Sequence, residues 1–307
     1  MINFKRLYKS PPHRQLFVLG KVIKILKWAI NYFDFKGDIM VNRNGSYVGT
    51  DGVFLQNEGT NRYLKSKYSE KVNEGFDLYQ KINQVLDNVS VIFDVGANFG
   101  EISLYLSKMY PSSKIYAVEP SKKNLIKLKE NIKLNFFDTS NINIIETAVC
   151  NFEGKIKITS SYGSQNTIML DPKNNRQINK HNQKFIDETE EVTATTLKRI
   201  CEQNEINEID FIKIDIEGSE PLLTKDIKEL RPKLIYMEIS DKNTSDSYQK
   251  MLTSLKDEYE IYDLNLKVVN DHSLFVSSVF SKKSSYYYNV SATDVWLIRK
   301  DIYKVFL

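Results

Sequence analysis

From Ser90 onward, short apolar segments alternate with longer amphipathic ones, and no other feature of the sequence constrains the fold as strongly. The strand-like segments are Val91–Val95, Ile115–Val118, Asn143–Val149, Asp210–Ile214, Lys233–Ile239, Tyr259–Leu264 and Val295–Ile298. Helical periodicity fills three of the intervals, at Ile102–Met109, Lys122–Leu134 and Thr195–Asn204. This alternation predicts an α/β fold in which a mostly parallel sheet carries helices on both faces.

The first part of the chain follows a different pattern. Apolar residues repeat every three or four positions over Gln15–Phe35, which predicts an amphipathic helix, and Asp38–Glu58 has short β-prone pieces between turn formers. We therefore expect an N-terminal accessory segment over residues 1–75, followed by the main domain over residues 76–307. The polar stretch Asp171–Glu191 interrupts the alternation, and we expect it to be a surface insertion.

Composition narrows the partners and the compartment. The net charge of +4 comes from 43 Lys and Arg against 39 Asp and Glu, which is too small a surplus to indicate nucleic acid. Neither Cys150 nor Cys201 lies in a C-x-x-C pair, so no disulfide framework or zinc site is indicated. Without a signal peptide pattern or an apolar run of spanning length, a cytoplasmic location is expected. The Gln15–Phe35 helix is expected to pack on its own domain or on a second subunit of a homodimer, with peripheral membrane contact as the alternative.

A glycine turn follows the first predicted strand, in F-D-V-G-A-N-F-G, residues 93–100. Gly96 and Gly100 allow a sharp turn and let a ligand approach the backbone, whereas the middle glycine that admits a pyrophosphate is missing. A cofactor without a pyrophosphate therefore fits better than NAD, and S-adenosylmethionine is the candidate. Asp94 could place negative charge near its cationic end, and Asn98 could offer amide hydrogen bonds.

An acidic residue stands where a ribose-binding carboxylate is expected. The second predicted strand ends in A-V-E-P, and Glu119 lies nineteen positions beyond Gly100. At that place its carboxylate could accept hydrogen bonds from both ribose hydroxyls. A glycine turn and an acidic residue at the right separation are together more specific than either alone.

At these residues the sequence resembles the FkbM family of methyltransferases. The resemblance runs from about Asp87 to Arg299 and rests on I-F-D-V-G-A-N-F-G, A-V-E-P-S-K-K-N-L, T-A-V-C-N-F-E-G-K-I-K-I and I-D-F-I-K-I-D-I-E-G-S-E. It implies a Rossmann-like class I methyltransferase sheet of seven strands, S-adenosylmethionine as the donor, and hydroxyl oxygens of sugars or other natural products as acceptors. It also implies a cofactor site formed by Asp94, the turn residues Gly96, Ala97, Asn98 and Gly100, and Glu119, with Ala148 in the segment beside the adenine.

The segment D-F-I-K-I-D-I-E-G-S-E, residues 210–220, carries the predicted acceptor chemistry. Strand alternation places Lys213 and Asp215 on one face, at the end of a central strand where the acceptor would lie. Asp215 is the first candidate for the general base, and Lys213 could keep it ionised or act as the base itself. Glu217 and Glu238 are expected at the same edge, where they could bind acceptor hydroxyls.

Several alternatives remain open for this edge. Asp215, Glu217 and Glu238 could hold a divalent cation, although no metal site is favoured. Lys213 and Asp215 could form an ion pair without chemistry. His272 could be the base instead, and Tyr286–Tyr288 could stack on sugar rings or belong to the core.

The predicted function is O-methylation of a sugar or glycan hydroxyl, of the kind needed to build surface polysaccharides or glycoconjugates. The alternatives are methylation of another small natural product and a non-catalytic module that binds S-adenosylmethionine. DNA amino-methylating enzymes have an Asp or Asn followed by two prolines and an aromatic residue at this place. Residues 215–218 read D-I-E-G and lack the prolines and the aromatic residue, which disfavours a nucleic-acid methyltransferase.

Overall fold

A computed structural model describes residues 40–41, 46–48, 53–56, 77–135, 137–159, 168–169, 189–239, 245–281 and 292–302. The chain divides into two compact units, residues 1–73 and residues 74–307. The described residues of the first unit form three short strands, β1 (Met40–Val41), β2 (Ser46–Val48) and β3 (Phe54–Gln56), which pair antiparallel in that order. These strands lie within Asp38–Glu58, where short β-prone pieces were expected, whereas the Gln15–Phe35 helix lies outside the described residues.

The second unit contains eleven of the described strands. Its first half runs through a helix α1 (77–85), β4 (Val91–Val95), α2 (Glu101–Met109), β5 (Lys114–Val118), α3 (Lys122–Leu134), β6 (Ile142–Ile145), β7 (Ala148–Val149), β8 (Gly154–Thr159) and β9 (Ile168–Met169). Its second half runs through β10 (Thr189–Thr195), α4 (Leu197–Gln203), β11 (Phe211–Ile214), a 3-10 helix (Glu220–Leu223), α5 (Thr224–Leu230), β12 (Leu234–Ile239), α6 (Ser245–Leu255), β13 (Tyr259–Asp263), α7 (His272–Ser281), β14 (Thr293–Arg299) and a 3-10 helix (Lys300–Ile302).

Seven strands form the main sheet, in the order β13-β14-β12-β11-β4-β5-β6. All neighbours are parallel except β14, which pairs antiparallel with β12 and β13. The predicted seven-stranded, mostly parallel sheet is therefore confirmed. From β4, the chain adds β5 and β6 on one side of the sheet and then β11 and β12 on the other, so the direction of strand addition reverses between β4 and β11. Ligands of open α/β sheets bind beside the carboxyl ends of the strands at such a reversal.

Apolar side chains pack on both faces of this sheet because successive strand residues point to opposite sides. Helices α1 and α2 cover one face, in a buried cluster that includes Leu78, Ile82, Ile102, Leu106, Ile92, Phe211 and Trp296. Helices α4, α5 and α6 cover the other, in a cluster that includes Ile200, Ile227, Met251, Phe93, Ile212 and Leu297. The predicted helices on both faces are confirmed.

One predicted strand is two strands in different sheets. The segment Asn143–Val149 is divided by a turn in which the Thr147 N–H donates to the Ile145 carbonyl over 3.1 Å. Strand β6 is an edge strand of the main sheet, whereas β7 is an edge strand of a second sheet of four strands in the order β7-β10-β8-β9. The break falls on the polar pair Glu146 and Thr147, a local signal in the sequence that the prediction of a single strand overlooked.

The insertion and the helix after it also differ from expectation. The last residues of Asp171–Glu191 belong to β10, and residues 171–188 lie outside the described residues. The helix predicted from Thr195 begins at Leu197, because the Thr196 hydroxyl caps it by accepting a hydrogen bond from the Arg199 N–H. Of the helices that the structure describes, none is long and apolar enough to cross a membrane.

Candidate functional site

The glycine turn lies against the end of β11. Gly96 has a φ of +83°, and a Cβ atom there would lie 1.8 Å from the backbone oxygen of Asp215. The N–H groups of Gly96 and Ala97 both donate to the Val118 carbonyl over 3.0 Å, which joins the turn to β5. Only glycine fits at position 96, so this residue sets how closely the turn approaches the predicted acceptor edge.

Asn98 and Gly100 complete the turn. Asn98 has a φ of +52° and Gly100 a φ of +84°, both in the left-handed region. Asn is among the few residues that tolerate this region, because its short polar side chain can hydrogen-bond locally. The N–H of Asn98 points at Glu119, donating to Oε2 over 2.9 Å.

Glu119 is buried at the end of β5 and is held by three donors. Its Oε1 accepts from the Ser121 N–H at 2.9 Å and from the Asn124 side-chain amide at 3.2 Å, in addition to the Asn98 bond to Oε2. Burial raises the pKa of Glu119 to about 7, although these three hydrogen bonds favour the ionised form. The turn and the carboxylate are therefore one hydrogen-bonded unit.

The three internal bonds limit what Glu119 can offer a ligand. A carboxylate has about four acceptor positions, so roughly one remains for a ligand hydroxyl. Nearby, three oxygens are buried without a hydrogen-bond partner among the described residues: Asn98 Oδ1, Ser121 Oγ and Asn124 Oδ1. Acceptor capacity at this site is thus spread over several side chains.

The segment Thr147–Val149 is placed by the second sheet. Ala148 pairs with Ala194 of β10, and its side chain lies in a small apolar cluster with Cys150, Ile156 and Val192. The Thr147 hydroxyl donates to the Thr193 carbonyl at 3.1 Å. This segment follows the end of β6, whose Ile145 carbonyl accepts from the Glu119 N–H at 3.1 Å.

Lys213 and Asp215 lie together as predicted from strand alternation, and Asp94 joins them. Lys213 Nζ lies 3.1 Å from Asp215 Oδ2 and 3.7 Å from Asp94 Oδ1. Asp94 is the cross-strand neighbour of Lys213 in the β4–β11 pair, and its Oδ2 accepts from the Ser103 hydroxyl at 2.6 Å. The sequence contains no signal of this pairing, because it depends on the register between two strands far apart in the chain.

The acidic side chains collect at the same edge. Glu238 lies on β12 opposite Asp294 of β14, a residue that the sequence reasoning missed. Burial, followed by the charges of Asp215, Glu217, Glu220 and Asp294, raises the pKa of Glu238 to about 10. Glu238 is therefore protonated at neutral pH, and its Oε2 is buried without a hydrogen-bond partner among the described residues.

Glu220 is a second residue that was missed, although it ends the quoted I-D-I-E-G-S-E motif. Its side chain is fully buried, and Oε1 accepts from the Ile216 N–H at 2.8 Å and the Gly218 N–H at 3.4 Å. Its Oε2 accepts a short hydrogen bond from the Tyr248 hydroxyl of α6. Burial raises the pKa of Glu220 to about 7. Glu220 thus holds the turn that carries Glu217, whose φ of +54° is also left-handed.

Three alternatives from the sequence remain to be placed: His272 as the base, a divalent cation at the acidic edge, and stacking by Tyr286–Tyr288. His272 begins α7. Burial, followed by the charge of Lys256, lowers the pKa of its imidazole, whereas Asp271 and a hydrogen bond with the Val269 backbone act in the opposite direction. Within the described ranges, no group of three or more His, Cys, Asp or Glu side chains is arranged to hold a metal ion. The cation alternative for Asp215, Glu217 and Glu238 thus has no support in their arrangement. Tyr286–Tyr288 lie outside the described residues.

Several known proteins are similar to this chain. A curated relative, methyltransferase sdnD of Sordaria araneosa, is 26% identical over 157 residues, which cover 45% of this chain. The chain spans 60% of the length of that relative. Among solved structures, a methyltransferase FkbM from Methylobacillus flagellatus KT matches with a TM-score of 0.40 at 17% identity, over 68% of this chain and 43% of its own. The plantazolicin methyltransferase BpumL matches with a TM-score of 0.39 at 11% identity, over 75% of this chain and 84% of its own.

A family model also matches this chain. The model of the methyltransferase FkbM domain matches residues 94–262, from the last part of β4 to β13. This range contains the glycine turn, Glu119 and the whole segment from Lys213 to Glu220. Because it takes in more than half of the sequence, the chain belongs to the FkbM family of methyltransferases.

Proposed function

We propose that this chain transfers a methyl group from S-adenosylmethionine to a hydroxyl oxygen of a sugar or glycan. The observation that carries the proposal is the approach of the glycine turn to the end of β11, inside the region that the FkbM model matches. A predicted donor site and a predicted acceptor site thereby meet at the point where the strand order reverses.

The residues around the turn fit this donor. The oxygens of Asn98, Ser121 and Asn124 that have no partner in the described part of the chain can accept hydrogen bonds from an adenosine, next to the acceptor position left on Glu119. When bound, S-adenosylmethionine supplies an electrophilic methyl group and a sulfur leaving group that keeps the bonding electron pair. The left-handed turn at Gly96 and Gly100 keeps side chains out of the way of such a ligand.

On the acceptor side, we assign Asp215 as the general base that takes the proton of the acceptor hydroxyl. As the oxygen–carbon bond forms and the carbon–sulfur bond breaks, the hydroxyl proton passes to the Asp215 carboxylate. The Asp215 side chain is 26% exposed, so it is open to an acceptor, whereas Lys213 behind it is buried. The neighbouring ammonium group keeps the carboxylate ionised until the proton arrives.

The acidic edge supports an acceptor rich in hydroxyl groups. Carboxylate oxygens accept hydrogen bonds, and the protonated Glu238 can donate one, so neighbouring hydroxyls of a sugar ring can be bound in both senses. Together with the resemblance to the FkbM family, this arrangement favours a sugar or glycan over an apolar acceptor. Surface polysaccharide or glycoconjugate synthesis is the corresponding process.

Calorimetric titration tests the donor first. S-adenosylmethionine, S-adenosylhomocysteine and NAD are titrated separately, each with and without magnesium, and only the two adenosyl compounds are expected to bind. Binding of NAD alone, or of nothing, would overturn the proposal. Transfer of a labelled methyl group is then measured on a panel of hexoses, N-acetylhexosamines and nucleotide sugars. Donor binding with no transfer to this panel, but with transfer to apolar alcohols, would reject the sugar acceptor and retain the donor.

A further inference from the structure

Strand β10 of the second sheet contacts the predicted donor site at two places. Ala194 pairs with Ala148, in the segment that is expected beside the adenine. Earlier in the same strand, Glu190 reaches the first turn of α3, the helix that begins just after Glu119. The second sheet therefore supports both the adenine segment and the helix next to the ribose-binding candidate.

Glu190 supplies the cap that α3 lacks from its own residues. The N–H of Lys122, the first residue of the helix, lies 3.2 and 3.3 Å from the two carboxylate oxygens of Glu190 and donates to them. Ser121 occupies the cap position, where serine is among the preferred residues, but its side chain makes no capping hydrogen bond. The Glu190 side chain is 12% exposed, whereas the Lys122 side chain, whose ammonium lies 3.7 Å away, is 77% exposed. Because such exposed ion pairs contribute little, the backbone N–H is the main partner of Glu190.

The same turn also holds Glu119. The Ser121 N–H donates to Glu119 Oε1 at 2.9 Å, and the N–H of the next residue, Lys122, donates to Glu190. Two carboxylates thus divide two consecutive N–H groups at the positive end of the helix dipole. Each carboxylate leaves the other's N–H group to its own partner.

We propose that Glu190 is a positioning residue for the methyl donor: it binds the first N–H of α3 and so leaves Glu119 free to keep an acceptor position for the ligand. The inference rests on the proposed function, in which Glu119 binds the adenosine part of S-adenosylmethionine. Without Glu190, the Lys122 N–H loses its carboxylate, and Glu119 is already bound to the adjacent N–H group. The partial positive charge of the helix end then draws Glu119 toward Lys122, and the ligand has to compete with that contact.

Calorimetric titration with S-adenosylhomocysteine tests the role of Glu190. Glu190→Ala should weaken binding by about five- to tenfold, the loss that corresponds to removal of a helix cap. Glu191→Ala is the matched control, because Glu191 is the next residue of β10, points to the opposite face, and pairs with Lys155 at 2.9 Å. Its affinity should stay within about twofold of the wild type. An unchanged affinity in Glu190→Ala would overturn the inference.

A proline at position 122 tests whether the backbone N–H transmits the effect. Proline has no N–H and is favoured at the first position of a helix, and Ser121 has the extended conformation that a residue before proline prefers, with φ −75° and ψ 123°. Lys122→Pro/Glu190→Ala should therefore regain an affinity within about twofold of the wild type. Lys122→Ala/Glu190→Ala loses the same ammonium but keeps the N–H, so it should bind as weakly as Glu190→Ala. Recovery in both double variants, or in neither, would overturn the inference.

A measurement without ligand separates this inference from the proposed function. Protein labelled with 13C at the glutamate carboxyls is titrated by NMR, and the Glu119 signal is assigned by its loss in Glu119→Gln. The pKa of Glu119, about 7 in the wild type, should fall in Glu190→Ala, because an added N–H donor favours the ionised form. It should return toward the wild-type value in Lys122→Pro/Glu190→Ala.

The outcomes of the two measurements can be told apart. If the wild type binds no S-adenosylhomocysteine while the pKa of Glu119 moves as expected, the donor assignment fails and the role of Glu190 in holding Glu119 stands. An unchanged pKa of Glu119 in Glu190→Ala overturns that role. If Glu190→Ala does not fold, Lys122→Pro/Glu190→Ala is compared directly with the wild type. Failure of this double variant to fold, or to bind as the wild type does, overturns the inference.

Discussion

Replacing Gly96 by alanine tests whether the contact between the glycine turn and β11 holds the site together. The new Cβ would lie 1.8 Å from the Asp215 backbone oxygen and 2.9 Å from its carbonyl carbon. Neither atom is the end of a flexible side chain, so the two backbone segments must separate by roughly 1.5 Å to restore ordinary contact. Gly100→Ala is the matched control, because Gly100 has nearly the same φ of +84° but faces the Leu128 side chain at 3.2 Å.

The expected magnitudes differ because only Gly96→Ala meets a backbone. The left-handed conformation costs an alanine about 1–2 kcal/mol at either position. Separation at Gly96 also breaks the bonds from Asp215 N–H to the Val95 carbonyl and from Gly96 N–H to the Val118 carbonyl, both 3.0 Å long. At about 1 kcal/mol for each bond, Gly96→Ala should lower the free energy of unfolding by about 3–4 kcal/mol.

Urea unfolding followed by circular dichroism measures both variants against the wild type. Gly96→Ala should unfold at a clearly lower urea concentration than Gly100→Ala, with similar slopes for the two transitions. Equal destabilisation of the two variants would refute the reasoning, because it would mean that the Asp215 backbone moves away from the new methyl group without loss. The approach of the turn to β11 would then not determine the geometry of the site.

Three further predictions concern acidic residues. Glu119→Gln replaces a carboxylate that accepts three hydrogen bonds, and calorimetry should show S-adenosylmethionine binding weakened by about 1.5–3 kcal/mol; an unchanged affinity would remove Glu119 from the donor site. Glu238 has a pKa of about 10 in the folded chain against 4.5 in the unfolded chain, so the fold binds its proton more tightly and loses stability as pH rises between these values. Glu238→Gln removes this loss, so its free energy of unfolding should rise relative to that of the wild type from pH 5 to pH 9, by up to about 1.4 kcal/mol per pH unit, and its melting temperature should rise with it. A constant difference between the two proteins would mean that Glu238 is ionised in the fold. Asp215→Asn should keep S-adenosylhomocysteine binding but slow methyl transfer by about two to four orders of magnitude; near-normal transfer would assign the proton to another group.

The sequence predicted those parts of the site that depend on local pattern. The strand Val91–Val95 was predicted with its exact bounds, because a short apolar run before a glycine turn has few alternative structures. Lys213 and Asp215 were expected on one face because side chains alternate along a strand, and the structure places them 3.1 Å apart. Periodicity within one element was sufficient for both.

The parts that were missed depend on how separate elements pair. Asp94 meets Lys213 through the register of β4 and β11, and Asp294 meets Glu238 through an antiparallel pair that the alternation of strands and helices did not reveal. Glu220 turns inward to a tyrosine 28 residues away. Strand register and long-range side-chain contacts are set by the packed core, so a single sequence contains no direct signal of them.

The inward turn of Glu220 also restricts what kind of acceptor the edge can receive. Consecutive backbone N–H groups in a left-handed turn commonly form a concave site for phosphate or another anion. Here the N–H groups of Ile216 and Gly218 are already taken by the protein's own carboxylate. A phosphate group on an acceptor would have to displace Glu220 to reach them, and would meet Glu217 nearby. The turn is already occupied by the protein's own carboxyl group, which directs any phosphorylated part of a substrate away from β11 and leaves uncharged hydroxyls as the groups that can approach it.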